Sequence, residues 1–265
     1  MVASAGNSGL DSYPNGLYSG LDKLTGNKNC KNNLVVANAN PTVNPGTGNI
    51  TNLIINNSSS QGPTDDGRIK PDIAADGTNL YSASNESTTS YATLSGTSMA
   101  SPSTAGSLIL LQQHYNNLHN GYMKSATLKG LACHTAVDDT NFVGPDPFFG
   151  WGFLNTRDAA QVITNSNAVN PTAILQENTL NQTVNTFSVQ VVVSNPKTLK
   201  ATICWNDVPG TPKDNQLNSS TPVLVNDLDL RIIKGEEVNL PWKLDLANIN
   251  SPAIKGDNIV DNVER

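Results

Sequence analysis

The chain has 265 residues, of which 37% are hydrophobic and 14% are charged, and its formal net charge at pH 7 is −6. This length suffices for one large or two ordinary domains, and the composition is that of a folded chain. The negative charge argues against a nucleic-acid partner, and no apolar run reaches the roughly 18 residues of a membrane-spanning helix. We therefore expect no nucleic acid and no membrane among the partners.

The start of the chain and the cysteines constrain the cellular compartment only weakly. Met1-Val2-Ala3 has neither the charged region nor the apolar region of a signal peptide, and the sequence begins inside a predicted strand. The cysteines are too few and too scattered for a disulfide framework or a zinc site, so buried free thiols are the prediction for Cys30, Cys133 and Cys204.

The first predicted element is a strand of small residues that begins at Val2 and breaks at Gly6-Asn7. An asparagine at the end of a strand can direct its amide toward a ligand. Gly-Asn pairs are also common in plain turns, so these residues alone leave both interpretations open.

The next segments alternate between loop and strand. Leu34–Ala37 is typical of a buried strand, 52–55 is a second candidate, and a turn-rich stretch lies between them. Three carboxylates follow at Asp65, Asp66 and Asp72. A solvated turn with a local Asx-type hydrogen bond explains them better than a cation site.

A serine lies where a predicted strand changes to a predicted helix. Tyr91–Leu94 alternates like a strand, and the apolar spacing over 105–119 predicts a helix. Ser98 lies between them, in the run Gly-Thr-Ser-Met-Ala-Ser-Pro that begins at Gly96. The first backbone N–H groups of a helix lack partners and favour negative charge, which suits a serine that attacks a carbonyl and stabilises the resulting oxyanion. A capped helix start is the alternative.

Two more helices are predicted before the pattern changes. One covers 124–135, with His134 near its C-terminus, and the other is capped by Asn155 or Thr156 and closes a first domain at 166. After residue 167, short alternating segments separated by turns, such as Asn195-Pro196, predict an antiparallel β domain. The predicted strands are Phe187–Val193, Leu199–Trp205, Val223–Asn226, Leu228–Ile233 and Trp242–Leu246.

The run from Gly96 to Pro102 resembles the nucleophile motif of the subtilisin-like serine proteases, the subtilases. The Gly-Asn strand end, the Gly-Arg-Ile-Lys-Pro-Asp stretch at 67–72 and the Gly-Trp-Gly turn at 150–152 are similar to segments of the same family. The resemblance implies that Ser98 is the nucleophile and Asn7 is the oxyanion donor. It also implies that Ser4, Ala5 and Gly6 form a wall of the pocket for the substrate side chain.

The fold that this resemblance implies has two parts. Residues 1–166 would form the C-terminal part of a subtilisin-like α/β catalytic domain, with a partial parallel sheet and flanking helices. Residues 167–265 would form an all-β sandwich of the jelly-roll type, truncated at its end. The chemistry needs no cofactor, but the tail resembles domains that bind structural calcium, with candidate ligands Asp227, Asp229, Asp257 and Asp261.

The base and the aspartate of a subtilase triad have no counterpart here. The family takes both from segments upstream of the Gly-Asn strand, whereas His114, His119 and His134 all follow Ser98. His114 would lie roughly 24 Å along the helix from Ser98. We therefore expect the upstream half of the catalytic domain to be missing and the chain alone to be inactive.

The whole protein is expected to be an extracellular serine endopeptidase that acts on peptides or proteins. The alternative is a non-catalytic binding or adhesion protein on a degenerate subtilase scaffold.

Overall fold

The structure is a computed structural model that describes residues 1–139, 141–193, 198–213 and 216–265. The described part of the first 166 residues contains a four-stranded mixed sheet formed by the first four strands, a separate hairpin formed by the next two, and three α-helices. The strands are β1 (Val2–Ser4), β2 (Leu34–Val43), β3 (Ile50–Ile55), β4 (Ile73–Asp76), β5 (Leu80–Ala83) and β6 (Tyr91–Leu94). The helices are α1 (Thr97–His119), α2 (Ser125–Thr135) and α3 (Thr156–Ser166), preceded by 3₁₀ turns at Tyr18–Gly20 and Gly26–Asn29.

The sheet is organised around the long strand β2. Val36 of β2 pairs with Ser4 of β1 on one side and with Ile73 of β4 on the other, and both neighbours run parallel to it. Further along, β3 pairs antiparallel with β2 on the same side as β1, because β4 still occupies the opposite side at Ala39. This partly parallel sheet with flanking helices confirms the predicted α/β class for the first part of the chain.

Helix α1 begins eight residues earlier than the apolar spacing predicts. It starts at Thr97, so Pro102 lies inside the helix rather than in its first turn. Pro102 has no N–H to donate to the carbonyl of Ser98, but the preceding residues remain helical. Ala100, Thr104, Leu108 and Leu111 form the buried face of α1, which packs on β1, β2 and β4. None of the helices in the described ranges is long and apolar enough to cross a membrane.

The two remaining helices confirm the predicted elements. Helix α2 covers the predicted range to within one residue. Asn155 caps α3, and its side-chain oxygen accepts a hydrogen bond from the backbone N–H of Asp158 at 3.0 Å. The cap satisfies one of the free N–H groups at the helix start, so the signal read from the sequence has a local physical cause.

Asp72 lies at the centre of a buried ion cluster, not in a solvated turn. Its carboxylate contacts the ammonium groups of Lys70 at 2.5 Å and Lys129 at 2.8 Å, and accepts a hydrogen bond from the backbone N–H of Val35. Burial opposes ionisation, but Lys129 and Lys70 hold the pKa of Asp72 below its ordinary value. The prediction of a solvated turn is wrong here because it rested on local turn chemistry, whereas the two lysines and β2 come from distant parts of the fold.

The Asp72→Ala variant is expected to lose about 3–5 kcal/mol of unfolding free energy, because it leaves two buried ammonium groups without their carboxylate. Urea unfolding followed by tryptophan fluorescence measures this loss. The matched control is Arg157→Ala, which breaks the exposed pair between Arg157 and Asp158 and should cost less than about 1 kcal/mol. Equal losses in the two variants would contradict the cluster's role in stability.

The region after residue 166 contains short strands. They are β7 (Ile203–Cys204), β8 (Ile232–Lys234), β9 (Glu237–Asn239), β10 (Trp242–Lys243), β11 (Ile254–Lys255) and β12 (Val263–Glu264). They pair as three two-stranded antiparallel ladders, β7 with β12, β8 with β9 and β10 with β11.

Two of the five predicted strand segments in this region, 187–193 and 223–226, are not strands in this structure. Their residues alternate correctly, but a strand also needs a partner strand to bond with. The predicted turn at Asn195-Pro196 lies outside the described residues. The β character of the tail is thus supported only by the short ladders, and its sandwich stays a prediction.

Residues from both sides of position 166 share one hydrophobic core. Val263 belongs to the cluster that also contains Trp151 and α1. The Arg265 guanidinium donates to the carbonyls of Cys133 at 3.1 Å and Trp151 at 3.2 Å. Lys31 and Asp207 form a further buried ion pair across the same junction. The tail is therefore anchored in the first part of the chain, and the domain boundary at 166 stays a prediction.

Candidate active site

Ser98 is the second residue of α1 and its side chain is exposed. The chain reaches it from the β5–β6 hairpin, which is closed at its base by a hydrogen bond from Gly96 N–H to the carbonyl of Gly77 at 2.8 Å. Gly96 has a φ of +155°, outside the range that other residues adopt easily, so the bend into α1 requires glycine. This bend places Ser98 at the open end of the helix.

Asn7 lies beside the start of α1 even though it is distant in sequence. Strand β1 ends at Ser4, and the chain then passes Gly6 and presents the exposed side chain of Asn7. The backbone N–H of Thr97 donates to Asn7 Oδ1 at 3.1 Å, and the Thr97 hydroxyl donates to the same oxygen at 2.9 Å. That hydroxyl also accepts a hydrogen bond from the backbone N–H of Gly6 at 3.1 Å. The buried side chain of Thr97 therefore joins the strand end to the helix start.

These hydrogen bonds fix the orientation of the Asn7 amide. Both groups on Thr97 donate, so the atom that they face must be the amide oxygen, and Nδ2 is left to donate elsewhere. A Cβ built on Gly96 would lie 3.4 Å from Asn7 Nδ2 and 3.8 Å from the backbone nitrogen of Ser98. Asn7 Oδ1 lies 3.6 Å from the same position, so the whole Asn7 amide lies next to the backbone nitrogen of Ser98. Within the described part of the chain, the Ser98 N–H has no hydrogen-bond acceptor.

The predicted pocket wall consists of residues in different environments. Ala5 is fully buried and packs with Leu24 and Val35, so only its backbone can face a cleft. Ser4 and Gly6 are half-buried. The space beside Gly6, where a side chain would project, is bordered by the Ser60 hydroxyl and by the end of the Lys28 side chain.

The structure places no histidine next to Ser98 within the ranges that it describes. The ring nitrogen Nε2 of His114 lies 2.9 Å from the Thr164 hydroxyl of α3, and the His119 ring stacks on Tyr115. His134 is half-buried beside Thr202, and burial lowers its pKa to about 4. The nearby cations Lys200 and Arg265 act in the same direction. His134 lies in the last turn of α2, at the helix end where the sequence places it, but its ring is half-buried.

The candidate calcium ligands lie in two different settings. The carboxylates of Asp229 and Asp257 both contact the guanidinium of Arg231, and Asp227 is close enough for both to raise its pKa beyond the effect of burial. Asp261 is buried, accepts a hydrogen bond from the backbone N–H of Ile69 at 2.9 Å, and has its pKa raised by burial to about 6. Among the residues that the structure describes, no group of three or more His, Cys, Asp or Glu side chains could hold a metal ion. Calcium binding stays a prediction.

The comparison with known families agrees with the motif. The model of the subtilase family, peptidase S8, matches residues 1–152, which is more than half of the chain. The chain belongs to the subtilase family. Both Asn7 and Ser98, and the segments that carry them, lie inside the matched range.

Relatives of this subtilase include much longer proteins. A PII-type proteinase of Lacticaseibacillus paracasei is 47% identical over 74 residues, which is 28% of this chain and 4% of that protein. A C5a peptidase of Streptococcus pyogenes serotype M3 is 42% identical over 106 residues, or 40% of this chain and 9% of that protein. The chain spans less than a tenth of the length of these relatives.

Among solved structures, the CspB protease of Clostridium perfringens matches 54% of this chain and 29% of its own. The identity is 24% and the TM-score is 0.42. The family membership therefore rests on the sequence match.

Sequence reasoning missed the part played by Thr97. The threonine was considered only as part of the motif, but in the structure it donates two hydrogen bonds to Asn7 and accepts one from the Gly6 N–H. The available signal was its position directly before Ser98, where a buried hydroxyl at a helix start must find partners.

Proposed function

We propose that the protein of which this chain forms part is a serine endopeptidase that hydrolyses peptide bonds through an acyl-enzyme. Ser98 Oγ attacks the scissile carbonyl carbon, the carbonyl π electrons move onto its oxygen, and Asn7 Nδ2 and the Ser98 N–H bind that oxyanion. Collapse of the tetrahedral intermediate expels the amine, and water then hydrolyses the ester on Ser98.

The observation that supports this proposal is the position of the Asn7 amide, which Thr97 holds at the start of α1 next to the backbone nitrogen of Ser98. The Thr97 hydrogen bonds hold one donor in place before any substrate arrives, so the oxyanion needs little reorganisation of the protein. A helix N-terminus adds a favourable field for negative charge.

A serine hydroxyl also needs a base to take its proton. We propose that a histidine and its orienting aspartate come from residues outside these 265. The substrate is then a peptide or protein, the isolated chain is inactive, and the site of action is extracellular, as the family resemblance implies. The jelly-roll tail and its calcium remain proposals on the same basis. No observation favours the alternative of a non-catalytic adhesion protein.

An organophosphonate probe tests this function. The full-length protein that contains this chain is expected to be labelled at Ser98, as read by peptide mass spectrometry, whereas the isolated 265-residue chain should react slowly or not at all. Fast labelling of the isolated chain would show that a base lies within it. A full-length protein that is folded but unlabelled would contradict the proposed function.

A further inference from the structure

Lys28 reaches the glycine that adjoins the oxyanion donor. It lies in the 3₁₀ turn Gly26–Asn29, and its Cε is 3.6 Å from the position that a Cβ would take on Gly6. Gly6 directly precedes Asn7 and is held to Thr97 by its own N–H. A lysine from a separate turn therefore lies beside the glycine that precedes Asn7.

The Lys28 ammonium has no ion-pair partner among the described residues. Its one hydrogen bond in the described structure is to the Thr25 hydroxyl at 3.4 Å, at the long limit for such a bond. No carboxylate lies within 4.0 Å of it in the described ranges, whereas Lys31, Lys70 and Lys129 all have ion-pair partners. Lys23, in the same loop, donates to the carbonyl of Gly9 at 2.6 Å. Among these lysines, Lys28 is the one available to a ligand.

The geometry of attack brings the substrate side chain toward this ammonium. The scissile carbonyl must lie between Ser98 Oγ and the two nitrogen donors, and the residue that carries this carbonyl, called P1, is bonded directly to it. Because Asn7 is one of these donors, the P1 side chain starts next to Asn7 and its neighbour Gly6. A side chain on Gly6 would meet the Ser60 hydroxyl at 2.9 Å and the Lys28 side chain at 3.6 Å, so both residues border this wall.

We propose that Lys28 binds the carboxylate of an acidic P1 residue, so that the protease prefers cleavage after Asp or Glu. This inference rests on the proposed function of the Ser98 site. The net charge of the chain is −6, so its overall field would repel an acidic peptide, and such a preference requires a local cation. A long flexible ammonium suits this role because it can follow carboxylates on side chains of different length.

The test compares the full-length enzyme on peptide substrates that differ only at P1, with Glu, Gln or Lys at that position. The wild type is expected to show a kcat/KM for P1 Glu about tenfold above that for P1 Gln, the size of one charge-assisted hydrogen bond. Lys28→Met should bring this ratio close to one, and Lys28→Glu should favour P1 Lys. Lys23→Met removes the same charge from the same loop and should leave the ratio unchanged.

The outcomes separate this inference from the proposed function. Hydrolysis with equal kcat/KM for P1 Glu and P1 Gln would overturn the role of Lys28 while leaving the endopeptidase in place. The role of Lys28 would also be overturned if Lys23→Met lowers the ratio as much as Lys28→Met, because the effect would then come from the general positive charge of the loop. If no peptide is cleaved and the probe fails to label Ser98, the proposed function fails and the specificity fails with it.

Discussion

The Ser98→Ala variant of the full-length protein is expected to lose peptide hydrolysis by about six orders of magnitude in kcat. Loss of the nucleophile in subtilisin itself lowers kcat by about 2 × 10⁶, and the rate that remains comes from substrate binding and the oxyanion donors. Here the change removes one exposed hydroxyl from the second residue of α1. Alanine is a good helix former, so we expect the fold and the melting temperature to be nearly unchanged.

Active-site titration and steady-state kinetics on a cleaved peptide measure this effect. Ser101→Ala, three residues further along α1, is the matched control, because it removes a similar hydroxyl from the same helix. Full activity in Ser98→Ala would mean that another nucleophile performs the reaction. Equal losses in Ser98→Ala and Ser101→Ala would point to damage to the helix instead.

The Asn7→Leu variant should lower kcat by about 10²–10³ with little change in KM. The magnitude is that found when the oxyanion-hole asparagine of subtilisin is removed, about 2.7–4 kcal/mol of transition-state stabilisation. Leucine has nearly the same shape but cannot donate to the oxyanion. Because the donor acts on a charge that develops only in the transition state, substrate binding is expected to be nearly unaffected.

Kinetics on the same peptide, with kcat and KM measured separately, test this expectation. The control is Asn117→Leu, an exposed asparagine near the far end of α1, roughly 28 Å along the helix from Ser98. It should behave as the wild type. A rise in KM with unchanged kcat in Asn7→Leu would mean that Asn7 holds the substrate rather than the oxyanion.

The sequence predicts the local elements of this fold better than its long-range contacts. The first part of β2, at Leu34–Ala37, and helices α2 and α3 follow from apolar spacing and a capping asparagine, which act over a few residues. Strand β2 continues to Val43 through residues that were predicted to be turn-rich. The sequence placed Ser98 at the opening of α1, and the helix begins at Thr97, although the apolar spacing becomes visible only from Ala105. The burial of Asp72 could not be predicted, since Lys70, Lys129 and β2 enclose it only after folding.

In the candidate site, too, local features could be predicted from the sequence but long-range contacts could not. Ser98 and Asn7 were predicted because each lies in a recognisable stretch at the end of an element, and the structure brings them together through Thr97. The contact between Lys28 and Gly6 could not be predicted from the residues around Ser98 or Asn7. The turn that carries Lys28 packs against β1 only in the folded chain. Motifs thus predicted the proposed reacting groups, whereas the group proposed to select the substrate required the structure.

The anchoring of the tail bears on how this protein would respond to nicking. A cut within the exposed residues 181–193 would sever the backbone but leave the contacts of Arg265 with Trp151 and the Lys31–Asp207 ion pair in place. The two pieces would migrate together on gel filtration and separate only in denaturant. After such a break, side-chain contacts would hold the tail in place instead of the backbone.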